Sequence, residues 1–315
     1  MVNNAKVIFM GTPEFALPSL DSLVHAGFDV LGVVTQPDKP KGRGRAVEAS
    51  PVKKRAVALN IPVYEPANVR EPSFIDAIKA LAPDFIVVVA YGKILPKALL
   101  DIPRRGCVNA HASLLPKHRG ASPINRAIIN GDKETGVCAM LMDEGMDTGP
   151  VLLCEKTPIG DDETAEGLSK RLSEIGATLI VQTLEHMLEG NIRPQAQSSN
   201  GATYALPLKK EDGLIDWNKG AHEVKNLVRG LYPWPGAYTR WKDVLIKIHK
   251  AQVAENSGAV SGAPGAVVDA QEGVIRVKCG SGVLNIIELQ PESKRRMSAA
   301  DFVKGYRLKQ GDSFV

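Results

Sequence analysis

Three short runs of almost uninterrupted apolar residues limit the folds that are open to this chain. The runs extend from Val7 to Met10, from Val30 to Val34 and from Phe85 to Ala90, and each is rich in β-branched residues. A strand with one solvent-exposed face alternates apolar and polar residues, whereas a strand covered on both faces does not. The pattern therefore predicts a doubly wound, Rossmann-like α/β fold with a mostly parallel sheet and helices on both faces.

The second half of the chain has a different pattern of apolar and polar residues. An apolar periodicity from Thr164 to Leu188 predicts one long helix that closes the first domain. Residues 191–208 are rich in Gln, Ser, Asn and Pro and predict a linker. Short alternating strands separated by Gly-rich turns then predict a small, OB-like β-barrel. We therefore expect domains over residues 1–190 and 209–315, joined by the linker.

Composition narrows the class of protein. The chain has 315 residues, of which 44% are hydrophobic, as in an ordinary globular protein with two cores. Its first apolar run is too short for a signal peptide and no stretch is long enough to span a bilayer, so we expect a cytoplasmic protein. The cysteines lack CxxC spacing and predict neither a metal site nor a disulfide; we expect all four to be reduced and buried, at Cys107, Cys138, Cys154 and Cys279.

Positive charge is concentrated in two places. Residues 207–315 carry 17 Lys and Arg against 12 Asp and Glu. The segment from Gln36 to Arg45 interleaves four cations with Pro and Gly, which predicts an irregular, mobile arm that can reach phosphates. A nearby Lys53-Lys54-Arg55 run strengthens this interpretation, although such runs are often solvated loops. The four cations of the arm are Lys39, Lys41, Arg43 and Arg45.

A doubly wound fold raises the possibility of a dinucleotide site, which the first strand-to-helix turn does not favour. That turn reads Gly11-Thr12-Pro13-Glu14 and has one glycine where the fingerprint requires three. Its proline has no N–H to donate, and its acidic residue stands where a pyrophosphate would bind. We therefore do not expect a nicotinamide cofactor.

The segment from Cys107 to Pro116 contains two candidate catalytic residues. If Cys107 to His111 is a strand, Asn109 and His111 lie on the same face. Acyl transfer needs a donor for the developing oxyanion and a group that handles a proton. A second polar loop, containing Asp147, follows a strand-like run and is expected at the same carboxyl-end rim of the sheet. Each of these residues, taken alone, is more often a satisfied core or turn residue.

Taken together, the motifs resemble the methionyl-tRNA formyltransferases. The resemblance covers nearly the whole chain and includes, in order, Gly11-Thr12-Pro13, Gln36-Pro37-Asp38, Gly42-Arg43-Gly44, Tyr91-Gly92 with Ile94-Leu95-Pro96, Asn109-Ala110-His111-Ala112-Ser113-Leu114-Leu115-Pro116, Arg119-Gly120, Asp143 with Gly145-Met146-Asp147-Thr148-Gly149, Asp212-Gly213, Arg229 and Pro233-Trp234-Pro235-Gly236.

The resemblance implies transfer of a formyl group from 10-formyltetrahydrofolate to the α-amino group of methionine on initiator tRNA. It assigns Asn109 to the oxyanion and His111 and Asp147 to proton handling, without deciding which of the last two is the base. It implies that no metal is required and that the basic arm and the C-terminal barrel contact tRNA; we expect the protein to be a monomer. Folate would contact Tyr91, Gly92, Ile94, Leu95, Pro96, Ser113, Leu114, Leu115, Pro116 and Asp143.

Two alternatives stay open from the sequence. A related formyl-folate enzyme could act on a small amine or on water, since the Asn-x-His and Ser-Leu-Leu-Pro motifs occur in that wider set. A protein of another class, a non-catalytic RNA-binding protein, would use the α/β domain only as a scaffold; the presence of Asn109, His111 and Asp147 argues against it.

Overall fold

The computed structural model describes residues 4–41, 46–255, 261–270 and 273–315. Its strands are β1 (Lys6–Gly11), β2 (Asp29–Val34), β3 (Lys39–Lys41), β4 (Ala46–Glu48), β5 (Val63–Tyr64), β6 (Phe85–Val89), β7 (Cys107–His111), β8 (Arg119–Gly120), β9 (Glu134–Leu141), β10 (Val151–Pro158), β11 (Tyr204–Ala205), β12 (Ala237–Trp241), β13 (Val244–Val253), β14 (Val267–Asp269), β15 (Ile275–Lys278), β16 (Val283–Pro291) and β17 (Met297–Ser298). Its α-helices are α1 (Leu17–His25), α2 (Pro51–Ala58), α3 (Pro72–Ala80), α4 (Lys97–Leu100), α5 (Pro123–Ile129), α6 (Ala165–Glu189), α7 (Ala221–Gly230) and α8 (Ala299–Tyr306).

Contacts divide the chain into two compact units. The first consists of residues 1–123, 134–158 and 169–205, and the second of residues 124–133, 159–168 and 206–315. Because two short internal segments belong to the second unit, the division does not fall at one point of the chain.

A seven-stranded sheet forms the centre of the first unit, in the order β10-β9-β7-β6-β1-β2-β5. The five strands from β7 to β5 are parallel, which confirms the doubly wound, mostly parallel α/β fold. β9 and β10 are antiparallel to their neighbours. The carboxyl end of β9 therefore lies beside the amino end of β7, and the expectation that the Asp147 loop starts at the same rim as the loop after His111 is wrong.

Most residues of the predicted apolar runs are buried because both faces of the sheet are covered; Val30 and Leu31 are partly exposed, and Ala90, after the end of β6, is exposed. All residues of β6 are buried, and alternate residues of β1 and β6 pack with Phe74 and Ile78 of α3. On the part of the sheet nearest the candidate site, Gly176 of α6 faces Val137 and Ala110, where a Cβ would lie 3.5 Å and 4.0 Å from their side chains. Helix α6 therefore covers the face of β7 to which Ala110 points.

The predicted basic arm contains regular structure. β3 and β4 pair in antiparallel register, so the interpretation of this segment as wholly irregular is wrong. Lys39 and Lys41 lie in β3, whereas Arg43 and Arg45 fall outside the described residues. Pro40 is tolerated because it sits in a short two-stranded ribbon, where few ladder hydrogen bonds depend on its missing N–H.

The cations of α2, which the sequence groups with the arm, have acidic partners. Lys53 lies 2.7 Å from both Asp38 and Glu65, and its ion pair with Asp38 lowers the pKa of that carboxyl. The other two cations are also paired, Lys54 with Glu48 at 2.8 Å and Arg55 with Asp21 at 2.6 Å. These side chains therefore support the local fold of the first unit.

The cysteines divide into two pairs with different states. Cys138 and Cys154 form a disulfide, so the expectation that all four cysteines are reduced and buried is wrong for this pair, of which Cys154 is also exposed. The register of β9 and β10 sets these residues directly opposite each other, with Cα atoms 4.1 Å apart. Cys107 and Cys279 are free and buried as expected; burial raises the pKa of their thiols to about 12 and about 11.

An antiparallel sheet forms the core of the second unit. Its strand order is β12-β13-β16-β15-β14, with β17 paired to β16, and bridges from Trp241 to Phe314 and from Ala266 to Ser313 extend it. Helices α7 and α8 contribute to one apolar cluster with the inner faces of the strands. This curled sheet confirms the predicted small barrel-like C-terminal fold. No α-helix among the described residues is long and apolar enough to cross a membrane.

Candidate active site

Two polar side chains share one face of β7. All five residues of this strand are buried, and Asn109 and His111 are only 8% and 6% exposed. Because side chains alternate along a strand, Asn109 and His111 point away from the face that Ala110 presents to α6. Buried amide and imidazole groups need hydrogen-bond partners, so their surroundings have to be polar.

The partner of one ring nitrogen fixes the tautomer of His111. Its Nε2 atom lies 2.9 Å from the backbone carbonyl oxygen of His118. A carbonyl oxygen can only accept a hydrogen bond, so Nε2 carries a proton. In the neutral ring, Nδ1 is then the unprotonated nitrogen, and it lies 3.5 Å from Oδ2 of Asp147. The imidazole therefore presents its basic nitrogen to the carboxylate.

Asp147 connects the groups of this cluster. Its Oδ1 lies 3.5 Å from the side-chain nitrogen of Asn109, and its Oδ2 accepts a hydrogen bond of 2.7 Å from the backbone N–H of Gly120. The Asp147 side chain is 18% exposed, and the residue has a left-handed backbone with φ of 53°. Asp and Asn adopt this conformation more readily than most residues, which suits an aspartate at this position.

The loop after β9 returns along β7 to reach this cluster. The N–H of Met142 bonds to the carbonyl of Cys107, at the start of β7, whereas Asp147 touches Asn109 and His111, which lie further along that strand. An antiparallel β9 can thus supply a group to residues near the carboxyl end of β7. The same face of the sheet therefore holds an amide donor, an imidazole and a carboxylate within hydrogen-bond or near-hydrogen-bond distances.

Comparisons with known proteins show which family the chain is similar to. A family model described as formyl transferase matches residues 5–184, and one described as formyl transferase, C-terminal domain, matches residues 207–307. The chain is 51% identical to the methionyl-tRNA formyltransferase of Citrifermentans bemidjiense, over 97% of this chain and 95% of that protein. It is 50% identical to the one from Thermodesulfovibrio yellowstonii, over 98% of each chain.

The chain belongs to the methionyl-tRNA formyltransferase family. Solved structures with lower identity share its fold. One is WlaRD, a sugar 3N-formyl transferase, with a TM-score of 0.68 and 18% identity over 93% of this chain and 100% of that one. Another is HypX from Aquifex aeolicus in complex with tetrahydrofolic acid, with a TM-score of 0.65 and 15% identity over 99% of this chain; this chain spans 51% of HypX.

The segment after β6, where the formyltransferase resemblance places folate, contains both buried and exposed residues. Tyr91 and Leu95 are buried in the same apolar cluster, whereas Ile94 is 65% exposed. The carbonyl of Tyr91 accepts hydrogen bonds from Gln36 and Thr12. Among the described residues its hydroxyl is buried and has no hydrogen-bond partner, and burial raises the pKa of Tyr91 to about 12. This segment thus has one exposed apolar side chain and one unsatisfied polar group.

The other predicted folate residues are held mainly by their own loops. The hydroxyl of Ser113 donates to the carbonyl of Lys117 at 2.6 Å and is fully buried. The carboxylate of Asp143 accepts hydrogen bonds from the N–H of Gly145 and the hydroxyl of Thr148. The remaining predicted folate residues lie in the segments after β6 and after β7. Gly92 is exposed, and the others are partly exposed, namely Pro96, Leu114, Leu115 and Pro116.

The structure also brings residues to the site that the sequence did not single out. Gln197, in the predicted linker, donates to the backbone carbonyls of Asp147 and Gly149 and accepts from Arg119. Thr203 accepts from the backbone N–H of His118 at 2.8 Å. The linker has no apolar periodicity, so no sequence pattern revealed these contacts. The one available signal was Arg119, a cation beside the Ser-Leu-Leu-Pro motif that needs an acceptor when buried.

Proposed function

We propose that this protein transfers the formyl group of 10-formyltetrahydrofolate to the α-amino group of methionine carried by initiator tRNA. The observation that carries the proposal is the meeting of Asn109, His111 and Asp147 on one buried face of the sheet. The names of relatives about 50% identical over nearly the full length support the choice of substrates. The cluster supplies what an amine nucleophile requires, namely a donor for an oxyanion and an acceptor for one proton.

The proposed reaction assigns a separate task to each side chain. The amine attacks the formyl carbon, a C–N bond forms, and the carbonyl oxygen becomes an oxyanion to which the Asn109 amide donates a hydrogen bond. His111 Nδ1 takes the proton that the amine loses, and Asp147 stabilises the resulting imidazolium. That proton passes to N10 of the folate as its bond to the formyl carbon breaks, so that formylmethionyl-tRNA and tetrahydrofolate are released.

The protonation of His111 supports its assignment as the base. Nε2 already donates to the His118 carbonyl, so the ring can accept a proton only at Nδ1. Oδ2 of Asp147 lies 3.5 Å from that atom, so the carboxylate faces the ring nitrogen that can accept the proton. Asp147 itself accepts a hydrogen bond from the Gly120 N–H, which holds the carboxylate as an orienting group.

The remaining residues of the proposal concern substrate binding. We assign the folate to the segments around Tyr91, Ile94 and Asp143, where the family resemblance places it and where the Ile94 side chain is exposed. We assign tRNA phosphates to the basic arm over residues 36–45, with its cations Lys39, Lys41, Arg43 and Arg45, and to the basic C-terminal domain over residues 209–315. In this proposal residues 1–190 are the catalytic domain, 191–208 the linker, and the protein acts as a cytoplasmic monomer.

A formyl-incorporation assay tests the proposal. Purified protein and 10-formyltetrahydrofolate are combined separately with charged initiator tRNA, charged elongator methionyl-tRNA, free methionine and buffer alone. We expect formylmethionine only, or by far fastest, on initiator tRNA. A comparable rate with the free amine or with water would favour the small-amine or hydrolase alternative, and tRNA binding without any turnover would favour the RNA-binding alternative.

Variants connect the activity to the cluster. We expect Asn109→Ala to lower kcat by about 10²- to 10³-fold, since it removes a donor to the oxyanion. The matched control is His186→Ala, which removes an exposed imidazole from α6 and should leave kcat unchanged. Equal rates for Asn109→Ala and the wild type would contradict the role of this amide.

A further inference from the structure

Gln197 uses its whole hydrogen-bonding capacity on groups around Asp147. Its Nε2 donates to the carbonyl oxygens of Asp147 at 2.8 Å and Gly149 at 2.7 Å. Its Oε1 accepts from Nε and Nη2 of Arg119 at 3.0 Å and 2.7 Å. A primary amide has two N–H donors and two acceptor lone pairs, so all four are engaged. The carbonyls only accept and the guanidinium only donates, which fixes the orientation of the amide.

The two carbonyls that Gln197 binds belong to the turn that orients the carboxylate. Asp147 has a left-handed backbone, and a residue other than glycine needs surrounding contacts to stay in this conformation. The donations to Asp147 and Gly149 bracket the turn on both sides of Thr148. A change in this turn would move the carboxylate away from Nδ1 of His111 and from the N–H of Gly120.

The other end of Gln197 holds the segment that binds the carboxylate. Arg119 is only 7% exposed, and in the described part of the chain both of its side-chain hydrogen bonds go to Gln197. Arg119 directly precedes Gly120, whose N–H donates to Asp147 Oδ2. Gln197 thus connects the backbone of Asp147 to Arg119 of β8. Because Gly120 of the same strand binds the Asp147 carboxylate, Gln197 fixes the distance between the Asp147 turn and β8.

We infer that Gln197 is a positioning residue for formyl transfer, which sets Asp147 against His111 without itself touching the reacting groups. The inference rests on the proposed roles of Asp147 and His111. A purely structural tether of the linker would have the same contacts but would affect folding rather than the rate of the chemical step. A positioning role therefore predicts a change in kcat of the folded protein, whereas a purely structural role predicts a change in thermal unfolding alone.

Substitutions separate these effects. Gln197→Glu keeps an acceptor for Arg119 but replaces both donors with a carboxylate oxygen that faces two carbonyl oxygens. Gln197→Ala removes all four hydrogen bonds. We expect both to lower kcat by about 10- to 100-fold, the usual range for groups that orient a catalytic side chain, with KM for tRNA and folate changed less than about twofold. The matched control is Gln195→Ala, because the contacts shown for Gln195 are backbone hydrogen bonds to Val151.

A double-mutant cycle decides whether Gln197 acts through Asp147. Single-turnover rates are measured for wild type, Gln197→Ala, Asp147→Asn and the double variant, with thermal unfolding of each recorded in parallel. We expect Gln197→Ala to have almost no additional effect once Asp147 is changed.

Three results would overturn the inference: a kcat within about twofold of wild type in Gln197→Glu and Gln197→Ala, an equal loss in both Asp147 backgrounds, or a loss that follows the folded fraction. If Asp147→Asn alone leaves the rate unchanged, the proposed catalytic role of Asp147 fails instead, which is a distinguishable outcome.

Discussion

The end of strand β7 and the predicted linker contribute to the same cluster, but they differ in how sequence encodes them. β7 carries Asn109 and His111 at the spacing that a strand converts into one shared face. The linker carries Gln197 and Thr203 in a stretch without periodicity, and their role depends on partners 50 and 85 residues away. Local spacing can reveal groups that share an element, whereas groups brought together by tertiary structure leave no such pattern.

The largest effect is expected at His111 of β7 and at its partner Asp147, which the linker residue Gln197 holds through the backbone. We expect Asp147→Ala and His111→Ala each to lower kcat by about 10²- to 10⁴-fold, since each removes a group that we propose takes part in proton transfer. The affinity for tRNA should be almost unchanged, because neither change removes a positive charge that could contact phosphate. Stopped-flow or quench measurements of turnover and a tRNA filter-binding assay test the two parts. A tRNA affinity that falls as much as kcat would contradict the expectation that these two side chains act in the chemical step and not in tRNA binding.

An effect of intermediate size is expected at Thr203. Its hydroxyl accepts from the N–H of His118, whose carbonyl in turn binds His111 Nε2. Thr203→Val removes this acceptor at nearly constant volume, and we expect a loss of about 1 kcal/mol in the free energy of unfolding with a fall in kcat below about 10-fold. Thr203→Ser keeps the hydroxyl and is the control. Chemical denaturation and kcat provide the readouts; identical behaviour of the Val and Ser variants would exclude the hydrogen bond as the cause.

The smallest effect should come from a cation that is already paired. Lys54 lies 2.8 Å from Glu48 and is exposed, so Lys54→Ala should change stability by less than about 1 kcal/mol and leave the salt dependence of tRNA binding unchanged. Arg43→Ala, in the proposed tRNA arm, should instead reduce the slope of log K against log salt by about one. Binding titrations at several salt concentrations compare the two variants. Equal slopes in both would contradict the assignment of the arm.

Sequence patterns predicted most of the fold because burial leaves a local signal. Uninterrupted apolar runs predicted the central strands, and the apolar periodicity from Thr164 to Leu188 predicted α6, which extends over Ala165–Glu189. The direction of a strand has no such signal, so the antiparallel β9 and β10 were not foreseen. The Cys138–Cys154 disulfide depends on the register of these two strands, and it was missed for the same reason.

The site was predictable in part for a comparable reason. The strand spacing placed Asn109 and His111 on one face, and the resemblance added Asp147, but neither could show that Gln197 binds the backbone of this aspartate. The segments that we assign to folate had recognisable motifs, yet whether Ser113 and Asp143 form hydrogen bonds within their own loops depends on the folded turns.

The parallel pairing of β8 with β11 has a consequence for the order in which the first unit is completed during synthesis. β7 leaves the ribosome well before residues 197–205, which hold His118, Arg119 and the Asp147 turn. Domains generally acquire their structure from the N-terminal side as the chain elongates. The central sheet can therefore assemble while the imidazole and the carboxylate are not yet held together, and the nascent protein completes the proposed catalytic cluster only after residue 205 has been added.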